Sequence, residues 1–361
     1  MGWRYLALSG VIAGAVAFLA GQTPAPSPGK SVTKSTATKS TAAKATTAKS
    51  GTAAKAGPAP RMAWGDPDLQ GVWFVLSNVP LERPAQYSGR EFLTDQEVAQ
   101  LDKQKEDDPG RNARSANSTQ DVSGAYNAVF NSVLKTGKRT SMVIDPPDGK
   151  IPPLVAGVQG AGRGGRGAAG GPPGLGIGPG VNDNPETVAQ SPRCLGVPMP
   201  FLPLNTLFAQ GTVMQIVQSP KSMGIYMEDD HAGGGNRVIH MDGSPHPPSS
   251  LKFYLGDSRG HWEGNTLVVE TTNFQQGFRG SNIETYKMIE RFTRLDANDL
   301  RREITFDDPK TWTRPWTVVI EMGKTDDRRQ MIFDSACHEG NYGMTGILVG
   351  NRKEEQAPGK K

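Results

Sequence analysis

The chain is poor in cysteine and lacks the short motifs that bind common cofactors. Its 361 residues include two cysteines, and neither lies in a Cys-x-x-Cys pair of the kind that holds zinc. No P-loop, dinucleotide fingerprint, haem-attachment motif, EF-hand loop or HExxH motif occurs. Segment 256–260 contains a serine between glycines but lacks the nucleophile elbow of serine hydrolases. We therefore predict no cofactor, with a transition metal as the alternative.

Acidic and aromatic residues are absent from residues 22–60, which are rich in Lys, Thr, Ala and Ser. Such a segment cannot bury enough apolar surface to offset its ordering entropy, so it predicts a disordered linker over residues 21–60. Arg4 and six lysines give residues 1–60 a charge of +7, so the net +4 leaves −3 for residues 61–361. We therefore predict no nucleic-acid partner. The linker is either a solvated spacer or makes weak contact with a cell surface or membrane.

A long hydrophobic run is also missing. Tyr5–Ala20 is apolar apart from one serine, which matches a signal-peptide core in length and is short for a membrane span. Residues 1–20 therefore predict export to the periplasm or beyond, with an uncleaved N-terminal anchor as the alternative because Phe18 occupies a position that favours a small residue. An oxidising compartment favours a disulfide between Cys194 and Cys337 over two buried free thiols.

Short β-branched or aromatic segments separated by turns follow one another from Thr212 to Ser335. This pattern predicts a mainly β fold, an antiparallel meander forming a barrel or half-barrel. One or two short helices are predicted in the N-terminal part of the domain. Thr94 and Glu97 form a capping box that starts one of them at Asp95, and it should end at about Lys105.

These patterns divide the chain into four parts. After the signal segment and the linker, we place a single β-rich domain at residues 61–350 and a disordered tail at 351–361. A Gly-rich stretch at 156–181 interrupts the domain, and its lack of apolar periodicity predicts a disordered loop. The sequence does not define an oligomeric state.

A charged residue interrupts the apolar face of one predicted strand. In Tyr286–Arg294, Glu290 alternates with Tyr286, Met288 and Phe292 and therefore shares their face. One interpretation is an outward glutamate on a solvated sheet. The other is an inward carboxylate in a ligand cavity.

Histidines and carboxylates gather in two places. Glu228 and His231 begin the first cluster, which continues through Arg237 and His246, and a solvated polar turn, ligand recognition, acid–base chemistry and metal binding are all open. The second cluster follows Cys337 near the end of the chain. Its members are His338, Glu339 and Tyr342. We expect both clusters to lie on one wall or mouth of the barrel.

The two clusters supply the candidate functional residues. The catalytic candidates are Glu228, His231, His338 and Glu339, and the weak metal candidates are His231, His246 and His338. Further ligand-binding candidates are Asp257 and the group Trp312, Arg314 and Trp316, in which two aromatic rings flank an arginine. Such rings suit a planar or anionic ligand, and core packing of the tryptophans is the alternative.

Five longer phrases carry a family resemblance. They are WGDPDLQGVW at 64–73, DPPDGKIPP at 145–153, LGDSRGHWEGNTLVVETTNF at 255–274, DPKTWTRPWT at 308–317 and ACHEGNYG at 336–343. Together they resemble a widespread family of secreted, functionally uncharacterised proteins of soil bacteria. The resemblance implies secretion and one domain over most of residues 62–350, but no reaction. The predicted meander is also similar in style to lipocalin-like barrels, which is an analogy of architecture.

The sequence thus predicts an exported β-barrel protein that binds a small organic ligand. The alternative is a cofactor-independent or metal-assisted hydrolase or lyase with a His/Glu site. A third interpretation, a cell-surface interaction module tethered by the linker, gives the histidines no role.

Overall fold

The computed structural model describes most of the chain beyond the linker. The described residues are 60–107, 135–158, 184–186, 188, 191–195, 199–203, 213–228, 234–324, 332 and 336–356. The predicted signal segment, the linker up to residue 59 and the Gly-rich loop from residue 159 onward lie outside these residues. His231 lies outside them as well.

Ten strands form one mixed sheet in the described part of the chain, and nine of them close into a barrel. The strands are β1 Gly71–Val75, β2 Val143–Asp145, β3 Val213–Gln218, β4 Ser222–Met227, β5 Gly235–His240, β6 Asp257–Glu263, β7 Thr266–Thr272, β8 Lys287–Arg294, β9 Asp299–Asp307 and β10 Trp316–Lys324. From β3 to β10 each strand pairs with the next, and β1 pairs with both β3 and β10. This closure confirms the predicted fold class and selects the barrel over the half-barrel.

The connection between β5 and β6 departs from the expected antiparallel order. The two strands are parallel, because residues 241–256 lead the chain back along the barrel before β6 begins. Three prolines in that connection disfavour a hairpin. At its end, Gly256 has a φ of +75°, and a Cβ there would lie 2.6 Å from Cγ2 of Thr271. Glycine therefore permits the tight turn into β6.

Period-2 alternation places the core inside the barrel. Along β9 and β10 the inward side chains are largely apolar, and the Phe306 and Trp316 rings stack with centroids 3.9 Å apart. Trp312 packs edge-on against Trp316 at 5.5 Å. The DPKTWTRPWT phrase therefore contributes two tryptophans to the core rather than to an exposed wall.

One strand and two α-helices lie outside the barrel in the described part of the chain. β2 pairs with β10 at Thr317 and Val318, on the edge that β1 leaves open. Helix α1, Asp95–Asp107, begins at the predicted capping box, in which the Thr94 N–H donates to Glu97 at 2.8 Å. Helix α2, Gly343–Glu355, was not predicted and extends into the segment expected to be a tail. Among the residues with described structure, no helix has the length and apolar character needed to cross a membrane.

The predicted disulfide is confirmed. Cys194 and Cys337 are bonded with their Cα atoms 5.6 Å apart, and they close a loop across 143 positions of sequence. Next to the bridge, the Asn341 side chain donates to the Pro192 carbonyl at 3.0 Å. The bridge thus holds the short segment 191–195 against the turn that precedes α2.

Candidate functional site

The barrel wall is weakest between β5 and β6. These strands pair at Ile239–Ser258 and at His240–Arg259. Over residues 235–238, the edge of β5 that faces β6 has no strand beside it among the described residues. We call this part of the wall the seam.

A cavity of about 470 Å³ occupies the seam. One side is the open edge of β5, and the other is the turn from Phe253 into β6. Cys194 and Leu195 form a third side. The lining combines aromatic and aliphatic side chains with a few polar groups, and both its volume and its composition are typical of small-molecule sites.

The β5 backbone offers hydrogen-bond donors to this cavity. Met241 N–H donates to the Lys221 carbonyl at 2.9 Å, which fixes the alternation of the β4–β5 ladder. Arg237 and its odd-numbered neighbours therefore bond to β4, whereas the N–H groups of Asn236 and Val238 point toward the seam. Since both residues line the cavity, their N–H groups can donate to a bound molecule.

A buried ionic cluster lies on the inner side of the seam. Glu290 of β8 accepts from Arg302 Nε at 3.0 Å and Nη2 at 2.7 Å, both through Oε1. Its Oε2 accepts from Nη1 of Arg237, which reaches across the barrel from β5. All three side chains are at least 97% buried. Glu290 is therefore the inward carboxylate that the strand pattern left open.

The charges of this cluster are unequal. Burial acts to raise the pKa of Glu290, but the guanidinium groups of Arg237 and Arg302 outweigh it and hold the pKa below its usual value. Glu290 is therefore ionised at neutral pH. Two guanidinium groups then face one carboxylate, which leaves the cluster with a net charge of +1.

Hydroxyl groups connect the cavity to this cluster. Ser258, which lines the cavity, has its Oγ 3.0 Å from the Thr271 Oγ1. That oxygen accepts from Arg237 Nη1 at 3.4 Å. Arg237 also lines the cavity, yet its Nε and Nη2 are buried and have no hydrogen-bond partner in the described structure.

A second polar cluster holds the outer side of the seam. Asp257, at the start of β6, accepts from Arg259 Nε at 2.7 Å and Nη2 at 3.0 Å, and from His246 Nδ1 at 2.6 Å. Burial acts to raise the pKa of Asp257, but these two partners lower it below its usual value. His246 Nε2 lies 3.5 Å from Glu270 Oε1. His246 thus ties the long β5–β6 connection to the strand that follows it.

The structure brings four of the sequence candidates to the seam and its inner side. They are Arg237, His246, Asp257 and Glu290. Trp312 and Trp316 are buried in the core, and Arg314 is exposed and paired with Asp145 at 2.8 Å. Glu228 directly follows β4. The residues of the second cluster are exposed and lie just before α2; these are His338, Glu339 and Tyr342. Among the residues described, no group of three or more His, Cys, Asp or Glu side chains is arranged to hold a metal.

Three residues of the site were not among the sequence candidates: Arg259, Ser258 and Arg302. Arg302 carried a usable signal, because it alternates with Leu300, Ile304 and Phe306 as Glu290 does with its apolar neighbours. Opposite charges on the apolar faces of consecutive strands indicate a buried pair. Ser258 and Arg259 carried no such signal, since their roles depend on where the seam opens.

Comparisons with known proteins add little to this geometry. No protein-family model matches the chain, and no curated protein matches it. Among solved structures, the crystal structure of a mutant of the fluorescent protein UnaG is 12% identical over 32% of this chain and 71% of that chain, with a TM-score of 0.21. Because so loose an overlap carries no argument, the function must be argued from the site itself.

Proposed function

We propose that the chain is an exported protein that binds a small organic molecule in the seam cavity. The observation that carries this proposal is a cavity of about 470 Å³ beside residues 235–238, which have no strand on that side in the described part of the chain. Backbone N–H groups that no described strand pairs and a few polar side chains meet apolar surface there, which is how small-molecule sites combine affinity with orientation. Export rests on the apolar N-terminal segment of the sequence.

The cavity has groups that suit each part of an organic ligand. Leu195, Val238 and Phe253 offer apolar surface, and the Tyr254 ring lies beside Arg193, whose guanidinium carbon is 5.9 Å from the ring centroid. Ser258 and the β5 edge offer hydrogen-bonding groups. These side chains come from three separate segments of the chain, so the folded barrel is needed to assemble them.

The hydrolase or lyase alternative remains a prediction. Its residues are Glu228, His231, His338 and Glu339, of which His231 lies outside the described residues. His338 and Glu339 are exposed to solvent. Neither residue lines the seam cavity, and the seam cavity is where we place the proposed binding function.

Two valines permit a matched test of the binding site. Val217 of β3 and Val238 of β5 lie opposite Gly224 of β4 on its two sides, and they are 58% and 55% exposed. Val238 lines the cavity, whereas Val217 does not. Substitution by tryptophan therefore adds the same bulk at similar exposure, but Val238→Trp adds it at the cavity.

The measurement is a screen of small organic fragments against the full chain by ligand-observed NMR. We expect a set of fragments to bind the wild type and Val217→Trp, and to bind Val238→Trp about tenfold or more weakly, because the indole occupies their space. The proposal fails if no fragment binds the wild type. It also fails if Val238→Trp retains every fragment with unchanged affinity.

A further inference from the structure

Within the described part of the chain, the guanidinium of Arg237 has partners for Nη1 and none for its Nε–Nη2 edge. Nη1 donates to Glu290 Oε2 and, at 3.4 Å, to Thr271 Oγ1. Nε and Nη2, the two nitrogens with no hydrogen-bond partner, form the other edge of the same plane. Their two N–H groups point in parallel, and this fork matches the two oxygens of a carboxylate.

In Arg302, the same edge is occupied by a carboxylate. Its Nε and Nη2 both donate to Glu290, at 3.0 and 2.7 Å. The two arginines are almost equally buried, at 1% and 3% exposure, and they share one carboxylate. The Nε–Nη2 edge of Arg302 is therefore filled by an acid, whereas that of Arg237 is not.

A buried guanidinium edge without a partner is costly. Unsatisfied N–H groups forfeit their hydration, and the cost rises when the group is charged. The cluster also retains a net charge of +1 after Glu290 is counted. An added anion would satisfy both needs at once, since it would accept from the free edge and neutralise the excess charge.

The seam supplies the direction from which such an anion can arrive. Arg237 and Ser258 both line the cavity, and Ser258 contacts Arg237 through the hydroxyl of Thr271. Asp257 also lines the cavity, but its two oxygens already accept from Arg259 and His246. Among the described residues that line the cavity, the buried side-chain nitrogens without a partner are therefore Nε and Nη2 of Arg237.

We propose that the ligand of the seam cavity is an organic carboxylate whose carboxyl group accepts from Nε and Nη2 of Arg237. This inference rests on the proposed binding function and adds the chemical class of the ligand. The free edge is shielded from bulk solvent, so the carboxyl group reaches it through a local widening of the seam. Two residue pairs hold β5 to β6, so few backbone hydrogen bonds oppose that widening. Glu290 and Arg302 are positioning residues, because they fix the plane of the Arg237 guanidinium.

The test compares carboxylic acids with their neutral amides. Benzoate, naphthalene-2-carboxylate and octanoate are each titrated against the full chain beside the corresponding primary amide, by calorimetry at neutral pH. We expect the carboxylates to bind about tenfold or more tightly than the amides, since a charge-assisted fork is lost in the amide. This comparison needs no variant and is unaffected by changes in folding.

Two variants locate the effect. Arg237→Lys keeps the positive charge beside Glu290 but lacks the fork, and it should remove most of the preference for carboxylates. Arg291→Met removes a partly exposed arginine that follows Glu290 in β8 and faces outward, and it should leave the preference unchanged. With isotope-labelled arginine, the Nε–H signal that Arg237→Lys deletes should shift when a carboxylate is added to the wild type.

The outcomes separate the inference from the function on which it rests. Equal binding of acids and amides, or a preference that survives in Arg237→Lys, overturns the carboxylate assignment and leaves the binding function standing. If neutral fragments bind but none of the carboxylates does, the carboxylate assignment is likewise overturned and the binding function stands. If neither the fragments nor the carboxylates bind, both proposals fail.

Discussion

The β7–β10 wall and the β5–β6 seam use similar strands but are held together differently. β8 pairs with β9 over its whole length, from Lys287 to Arg294, and inward alternation buries its side chains against the core. At the seam, only two residue pairs join β5 to β6 among the described residues. Side-chain contacts and a disulfide hold the remaining segments together. Backbone ladders satisfy their own polar groups, so a wall made of them presents few free donors.

This difference explains where the barrel has hydrogen-bond donors for a ligand. In the continuous wall the N–H and C=O groups are committed to neighbouring strands, and the outer face presents exposed ion pairs such as Arg291–Glu263 at 2.8 Å. Such pairs contribute little to stability. At the seam, no described strand pairs with the N–H groups of Asn236 and Val238, and Nε and Nη2 of Arg237 have no partner among the described residues. A gap in the ladder thus creates a binding surface.

The largest effect should come from Glu290, which joins the two regions through Arg237 on the seam side and Arg302 on the wall side. Glu290→Gln leaves two buried guanidinium groups without a counter-charge, and we expect a loss of about 3–5 kcal/mol in the free energy of unfolding, measured with urea. The control is Glu263→Gln, at a side chain that is 49% exposed, where the expected loss is at most about 1 kcal/mol.

A second variant sharpens the Glu290 prediction. If the trio is replaced together, as in Arg237→Met with Glu290→Leu and Arg302→Met, no charge is left uncompensated and most of the stability should return. Equal losses in Glu290→Gln and Glu263→Gln would show that the cluster is solvated. That result would remove the reason to treat the free edge of Arg237 as costly.

The next effect concerns the disulfide, which supports the seam where no ladder does. Replacing Cys194 and Cys337 together by serine frees a closed loop of 143 positions, and we expect a loss of about 2–4 kcal/mol because the unfolded chain is less constrained. Urea denaturation of the variant measures this loss, and reduced wild type is the matched control. A loss below about 1 kcal/mol in both would mean that other contacts hold segment 191–195 in place.

Sequence patterns predicted the wall better than the seam. Alternation in β8 and β9 depends on residues two positions apart, so the strands could be identified locally. Barrel closure could not be identified from local patterns, because it depends on the pairing of β1 with β10, which lie far apart in sequence. The parallel β5–β6 pair was also missed, although the Pro-rich connection of 241–256 is too long for a hairpin. Local patterns show that a segment is a strand, whereas they do not identify its neighbour.

The same limit applies to the candidate site. Glu290 was recognised as a residue on an apolar face, but its inward direction follows only when Arg302 on the next strand is considered with it. His246 and Asp257 were named separately, and their contact at 2.6 Å results from the connection that folds back onto β6. The free edge of Arg237 could not be predicted, since it depends on which of two nearby arginines the single glutamate satisfies fully.

The smallest effect is expected at Asp257, where the seam is held by partly exposed partners. Its folded pKa lies below the ordinary 3.8, so its bonds to Arg259 and His246 stabilise the fold above about pH 4 and are lost as the pH falls through the lower folded value. Asp257→Asn should therefore cost about 1–2 kcal/mol at pH 6, and the difference from wild type should shrink below about pH 4. Urea denaturation across this pH range measures both, with Asp307→Asn on the wall as the control for loss of one carboxylate. If the difference in free energy of unfolding between wild type and Asp257→Asn is the same at every pH, the charge of Asp257 does not stabilise the seam. The contact between His246 and Asp257 would then act without that charge.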